Sequence, residues 1–315
     1  MVEYKKTSYS EGFGIFNRIH KENLDGVNNN VLNLYMLNTE NKLFNYDQLY
    51  EYLLQNICQY VFDRRKINET QNDPIKSRTI ILDALSQLRK ITSNKDQGAG
   101  GELGEILLYI FLEQDLNAPK LFSKVELKTN PQDYVKGADG IHFKFRADTE
   151  GKKILQLVIG EAKIDNDLNN GINAAFKSIN TYLSNNTQDI ILLDTHLMNQ
   201  MVDEEEANEL KEYILSVPRK KKETVFGIFI GYSIKYEGKE DNNDNYDKKI
   251  IQENLQQVMN YRQKIIDKIN DYHVSNYEFN FYFLPFHNAM NDRKIIIDQL
   301  TSGHPHFSWK EIRNG

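Results

Sequence analysis

The sequence predicts an α/β fold, with a central mixed sheet flanked by helices and a mainly helical N-terminal segment ahead of it. Apolar residues recur at helical spacing from about 46 to 91, and strand-like periods follow from about 121 to 162. Helices and strands then alternate to about 284, the pattern of a sheet with helices packed on it.

Residues 1 to about 40 hold short mixed segments, and Asn28-Asn29-Asn30 reads as a loop. Leu49, Tyr52, Leu53, Ile57, Tyr60 and Val61 mark a helix over about 46–63, and Ile81, Leu85, Leu88 and Ile91 mark another that ends near 93. The polar stretch 68–73, followed by Pro74, reads as the connection between them. Gly98-Ala99-Gly100-Gly101 breaks the pattern. Residues 103–112, apolar on nearly every side, then predict a central buried helix.

Strands are expected at about 121–128, 138–146 and 154–162. In the second, Ile141, Phe143 and Phe145 alternate with His142 and Lys144, as on a half-buried strand, so His142 and Lys144 are expected on an exposed face. The third is apolar on both phases from 154 to 159, as in a strand covered on both faces. A helix at about 170–184 and a short strand at 190–193 complete an αβββαβ order. Beyond it come a helix at about 203–215, a strand at 225–234, a long helix at about 249–269 and an aromatic strand at about 278–284. Arg219-Lys220-Lys221-Lys222 and the acidic, Asn-rich stretch 237–247 read as solvated loops. The chain divides into a mainly helical region 1–97, expected to bind a partner, and an α/β domain 98–315 with a C-terminal α/β extension.

Apolar residues make up 40% and charged residues 27% of the 315, which excludes collagen-like, disulfide-scaffold and wholly disordered chains. The net charge is −6, from 39 basic and 45 acidic residues, so no global basic field draws in nucleic acid. The lone Cys58 lies in an apolar-periodic stretch and reads as a buried small hydrophobe, without disulfides or cysteine-based zinc sites. No apolar run approaches the roughly 18 residues of a membrane span, and residues 1–6 have no apolar leader core, so a cytoplasmic location without membrane contact is expected.

The strongest constellation is Gly137-Ala138-Asp139-Gly140 at the start of one predicted strand and Gly160-Glu161-Ala162-Lys163 at the end of the next. Side chains on a strand alternate, so Glu161 and Lys163 share a face, about 6–7 Å apart, in phase with Leu155, Leu157 and Ile159. Asp139 is in phase with Ile141, Phe143 and Phe145, so if the two strands are neighbours its carboxylate approaches that of Glu161. Two carboxylates and an amine thus emerge beside a buried sheet face, where an unpaired charge is costly. Mg²⁺ takes one or two carboxylates plus waters and phosphate oxygens. A cation between Asp139 and Glu161 would activate water, and Lys163 would orient that water or offset charge developing on phosphorus oxygens. Phosphodiester hydrolysis is the matching reaction. The bland alternative is a buried acid–lysine cluster that pairs only with itself.

Asp139 followed some twenty residues later by Glu161-Ala162-Lys163, within an αβββαβ order, resembles the PD-(D/E)XK nuclease superfamily. Ala138 stands where the motif's proline would be. Gly101-Glu102-Leu103-Gly104-Glu105, the stretch from Lys136 to His142, and Gly160-Glu161-Ala162-Lys163 further resemble the HamA family over about 98–195. HamA proteins are the nuclease subunits of the two-gene Hachiman anti-phage defence system, whose other subunit, HamB, is a superfamily 2 helicase. The resemblance implies a nuclease whose Mg²⁺ or Mn²⁺ is held by Asp139, Glu161 and the Ala162 carbonyl, with Lys163 as the catalytic lysine, DNA as substrate and a helicase that restrains it. It also implies an acid from the preceding helix. Glu105, on a stripe with Leu108 and Leu112, fits better than Glu102, which suits a helix N-terminus nearer the edge of the apolar face. An inert nuclease-fold interaction subunit, or a nuclease acting on RNA, fits the same residues.

Weaker features carry less. The glycines at 98, 100, 101 and 104 lack the Gly-Lys-Ser/Thr and the preceding strand of a phosphate loop. Lys177, in the helix after Lys163, is placed either to contact a phosphate backbone or on a solvated face. His304, Pro305, His306 and Trp309 lack zinc-site spacing and read as a packed tail.

Overall fold

Twelve consecutive residues, Lys153–Ile164, form the strand around which the rest is organised; a computed structural model describes residues 6–24, 29–71, 73–93, 101–123, 125, 138–185, 204–215, 222–238 and 241–302. In chain order the strands are β1 (Phe16–Asn23), β2 (Val31–Leu37), β3 (Thr39–Glu40), β4 (Leu43–Phe44), β5 (Lys120–Ser123), β6 (Gly140–Ala147), β7 (Lys153–Ile164), β8 (Lys222–Ser233) and β9 (Glu278–Phe286). Seven of them make one sheet in the order β1-β2-β9-β8-β7-β6-β5, and β3 and β4 pair separately. β2, β9, β8 and β7 run parallel to their neighbours, whereas β1 is antiparallel to β2, and β6 and β5 are antiparallel on the other side. The sheet is therefore mixed, as the sequence predicts. A register shift between Arg18 and His20 interrupts the β1 pairing.

The helices are α1 (Tyr46–Val61), α2 (Arg64–Gln71), α3 (Pro74–Ser93), α4 (Gly101–Gln114), α5 (Leu168–Asn185), α6 (Glu204–Leu215), α7 (Asn243–Met259), α8 (Arg262–Asp271) and α9 (Ala289–Ser302). Two apolar clusters sandwich the sheet. On one face α1, α3, α4 and α9 cover Val158, Phe229, Tyr282 and Leu284. On the other, α5, α6 and α8 cover Leu155, Leu157, Ile159, Phe281 and Phe283. The alternation of residues along β7 and β9 between the two clusters is the period of two that defines a strand. α4 is buried on nearly every side, as its composition predicts, and seats directly against the sheet.

Several expectations need correction. The region 1–97 is not only helical: β1 and β2 belong to the main sheet, and β2 pairs with β9 some 250 residues later. A strand whose partner is that distant leaves no local signature beside an Asn run. The polar stretch 68–73 is not simply a connection, since α2 extends to Gln71. The long helix expected at 249–269 is two helices that break between Met259 and Arg262, and the first begins at Asn243 because the Asn242 side chain accepts the Asn245 N–H at 2.9 Å. The expected strand at 190–193, most of that at 121–128, the basic run before Lys222, the glycines before Gly101 and the tail residues His304 to Trp309 lie outside the described residues.

Candidate active site

Asp139 lies one residue before β6, where Gly140 faces Gly160, and its N–H donates to the Gly160 carbonyl at 2.8 Å. These contacts bring Asp139 beside Glu161, near the carboxyl end of β7. The neighbouring strands thus bring the two acids together, on the face covered by α5. Asp139 and Glu161 are 7% and 5% exposed. Asp139 Oδ2 accepts the Ala162 N–H at 2.8 Å, which orients its carboxylate along the strand.

Lys163, on the same face, forms an ion pair with Glu161, and its side chain remains 30% exposed at the rim of the site. Burial pushes the Glu161 carboxyl up to about 7, and repulsion from Asp139 adds to the rise; Lys163 and a hydrogen bond from Ser178 on α5 pull it down. The acid pair is thus the electrostatically strained feature of the sheet end.

Glu102 and Glu105 enter from α4 on the other face, 0% and 4% exposed, so neither lies at an exposed helix edge. Glu105 Oε2 accepts the Tyr60 hydroxyl at 3.2 Å. Arg293 on α9 donates to the Ile164 carbonyl at 2.9 Å and interacts electrostatically with Glu102 and Asp165. Lys177 is exposed on α5, next to the Ser178 that touches Glu161. His142 is not exposed: it is 1% accessible, Nδ1 lies 2.8 Å from the Ala118 carbonyl, and the ring rests beside Tyr109. Lys144, predicted beside it, is mostly buried near Glu278 at 3.9 Å. Both lie on the sheet face that α4 and the segment after it cover. Sequence reasoning missed Tyr60, Ser178 and Arg293, which come from helices distant in the chain and carry no local signal.

Among the described residues, no three histidine, cysteine or acidic side chains form a ready-made cation cage. The oxygen-only pair Asp139 and Glu161 nonetheless fits a hard cation that keeps several waters. Among the described residues no helix is long and apolar enough to cross a membrane.

The fold and this site define an α/β protein with a mixed sheet, whose central strand ends in a buried acid pair flanked by a lysine. Comparison with known families is more particular: the HamA model matches residues 14–300, nearly the whole chain, and the chain belongs to the HamA family, components of the Hachiman defence system. The match includes β1 and β2 as well as the motif region that first suggested the family. None of the curated proteins compared with the chain matches it.

Proposed function

We propose that the chain is the metal-dependent nuclease of a two-component anti-phage system, with a PD-(D/E)XK-type core, hydrolysing DNA phosphodiester bonds when a partner helicase releases it. The observation that carries this reading is the approach of Asp139 to Glu161 where β6 and β7 pair, close enough for the two acids to repel, with Lys163 ion-paired to Glu161. The succession α4, β5, β6, β7, α5 and β8 supports it, because it holds both acids at one sheet end.

Asp139, Glu161 and the Ala162 carbonyl are the groups that would hold Mg²⁺ or Mn²⁺. A bound cation supplies Lewis acidity and a water of lowered pKa. Glu161 must be ionised to ligate, and the Ser178 hydroxyl and the Lys163 ammonium favour that form. Lys163, the more exposed of the three, presents its positive charge to an incoming phosphodiester. The Ala162 N–H keeps Asp139 from turning away from Glu161.

The test is incubation of the purified chain, alone and co-expressed with its helicase, with plasmid DNA, linear DNA and RNA plus Mg²⁺. Loss of cleavage in Glu161→Ala and Lys163→Ala supports the reading, and cleavage of RNA alone redirects it. Identical behaviour of wild type and both variants under activating conditions sinks it. The Lys163–Glu161 ion pair favours a second reading, an inert nuclease-fold module that binds a partner. A crystal soaked in Mn²⁺ without density between Asp139 and Glu161 would support that one.

A further inference from the structure

α3 has two faces of different character. Ile80, Ala84 and Leu88 are buried in the cluster that α3 shares with α1 and α9. On the other side Ile75 and Leu82 are 76% and 66% exposed, and Ile81 on the flank is 41% exposed. Six large apolar residues are exposed among the described residues, and three of them lie on this one helix. Scattered singly they would be ordinary surface; gathered on one helix they mark a place of contact.

Their spacing identifies what fits. Ile75, Arg78, Leu82, Leu85 and Arg89 follow at intervals of three, four, three and four, which makes one stripe about 21 Å long. Leu85 is half-buried, and the other four face solvent. A broad apolar face belongs to a helix packed on a core, whereas a stripe confined to the three-four repeat is the narrow seam of a helix–helix contact. Arg89 Nε donates to the Thr301 carbonyl at 2.8 Å, so one end of the seam is tied to α9.

Charge selects the occupant. α3 carries Lys76, Arg78, Arg89 and Lys90 against Asp83 alone, in a chain whose net charge is −6. A second copy laid parallel would set each seam arginine on its own counterpart. The antiparallel register that matches Leu82 with Leu85 sets Arg78 on Arg89, and the one that matches Ile75 with Leu85 presses Arg78 against Leu82. A foreign helix with carboxylates opposite the two arginines meets neither cost.

We propose that the outer stripe of α3 docks an amphipathic helix of the partner component, apolar along its seam and acidic where it meets Arg78 and Arg89. This rests on the reading above that the chain works with a helicase, and it adds the surface and the chemistry of that contact.

The test is surface plasmon resonance of the purified full chain on the immobilised helicase. Wild type is compared with Leu82→Glu, Arg78→Glu and Ile251→Glu, the last a control at a 37% exposed apolar residue on α7. Leu82→Glu and Arg78→Glu are each expected to weaken binding at least 10-fold with melting temperature unchanged, and Ile251→Glu to bind as wild type. Wild-type affinity in either α3 variant overturns the proposal, and so does an equal loss in Ile251→Glu. A dimer of the isolated chain in sedimentation equilibrium that Leu82→Glu dissociates would assign the stripe to a second copy and overturn it too. If Leu82→Glu does not fold, Ile75→Glu, at the most exposed position, carries the same test. Failure of the underlying reading looks different: wild type itself does not bind the helicase, which removes the partner and the proposal with it.

Discussion

Glu161 holds its charge in a place that disfavours it, and this sets a measurable pH dependence. Its pKa rises from 4.5 to about 7 on folding, so between those values the native protein keeps a proton that the unfolded chain releases. The stability from this group is fully present below pH 4.5 and is lost as pH rises through 7, by about 3 kcal/mol in all. Glu161→Gln removes that loss. In thermal melts without divalent cations it is expected to be more stable than wild type at pH 8 and no different at pH 4, and parallel melting curves at all pH values would contradict this. His142 acts in the opposite sense, because burial pulls it from 6.5 down to about 4. Its share of stability is present above pH 6.5 and is lost as pH falls through 4, so wild-type unfolding at acid pH should steepen and His142→Gln should flatten that limb. The acids and Lys163 were legible in the sequence because strand phase alone puts Glu161 and Lys163 on one side. His142 was not: phase tells which face a side chain takes, and His142 shares its face with Gly160 and Ala162, but nothing local tells that α4 covers it.

α4 shows how closely an element can be seated when its partner strand is cleared of side chains. A Cβ on Gly227 of β8 would lie 2.4 Å from Leu112 Cδ2, and one on Gly160 of β7 would lie 2.9 Å from Leu108 Cδ2. Gly227→Ala is therefore expected to push α4 off the sheet at a cost of about 1–3 kcal/mol. Gly14→Ala, with nothing within 4 Å of the added carbon, should stay within about 0.5 kcal/mol of wild type in urea unfolding. Equal effects would mean that α4 is free to move. This helix was readable from residues 103–112, because a segment apolar on all sides has to be central. β6, β7 and β9 were readable from alternation or from apolar and aromatic runs. β2 was not: Leu32, Leu34, Tyr35 and Leu37 are all buried, but what buries them is β9 and helices far along the chain. The start of α7 escaped for the reverse reason, since a single capping Asn outweighed an acidic, polar run that looked like a loop.

At the scale of the molecule, the regions 1–97 and 98–315 share one sheet. β2 lies between β1 and β9, and α1 is tied to β5 through Lys120. A chain starting at residue 98 would uncover the edge of β9 and the apolar surface that α1 and α3 protect. It is expected to aggregate or to unfold without cooperativity in calorimetry, and a sharp, reversible transition would show that the C-terminal region stands alone. The net charge of −6 bears on function at the same scale. If the chain is the proposed nuclease, the positive charge that meets DNA is local, so DNA affinity of the isolated chain is expected to be weak and to fall steeply with salt in a fluorescence titration, and that of a complex with a helicase partner to be higher.

β1 closes the sheet with a bulge between Arg18 and His20 and an outward row of polar and charged side chains, with Arg18 tied to Asp115 and Glu22 to Arg262 at 3.0 Å. An incoming strand would meet backbone groups out of step and would have to break those ties. Crowded copies of the protein therefore have no zipper along this border, and a regulator that grips here must read side chains instead of extending the sheet.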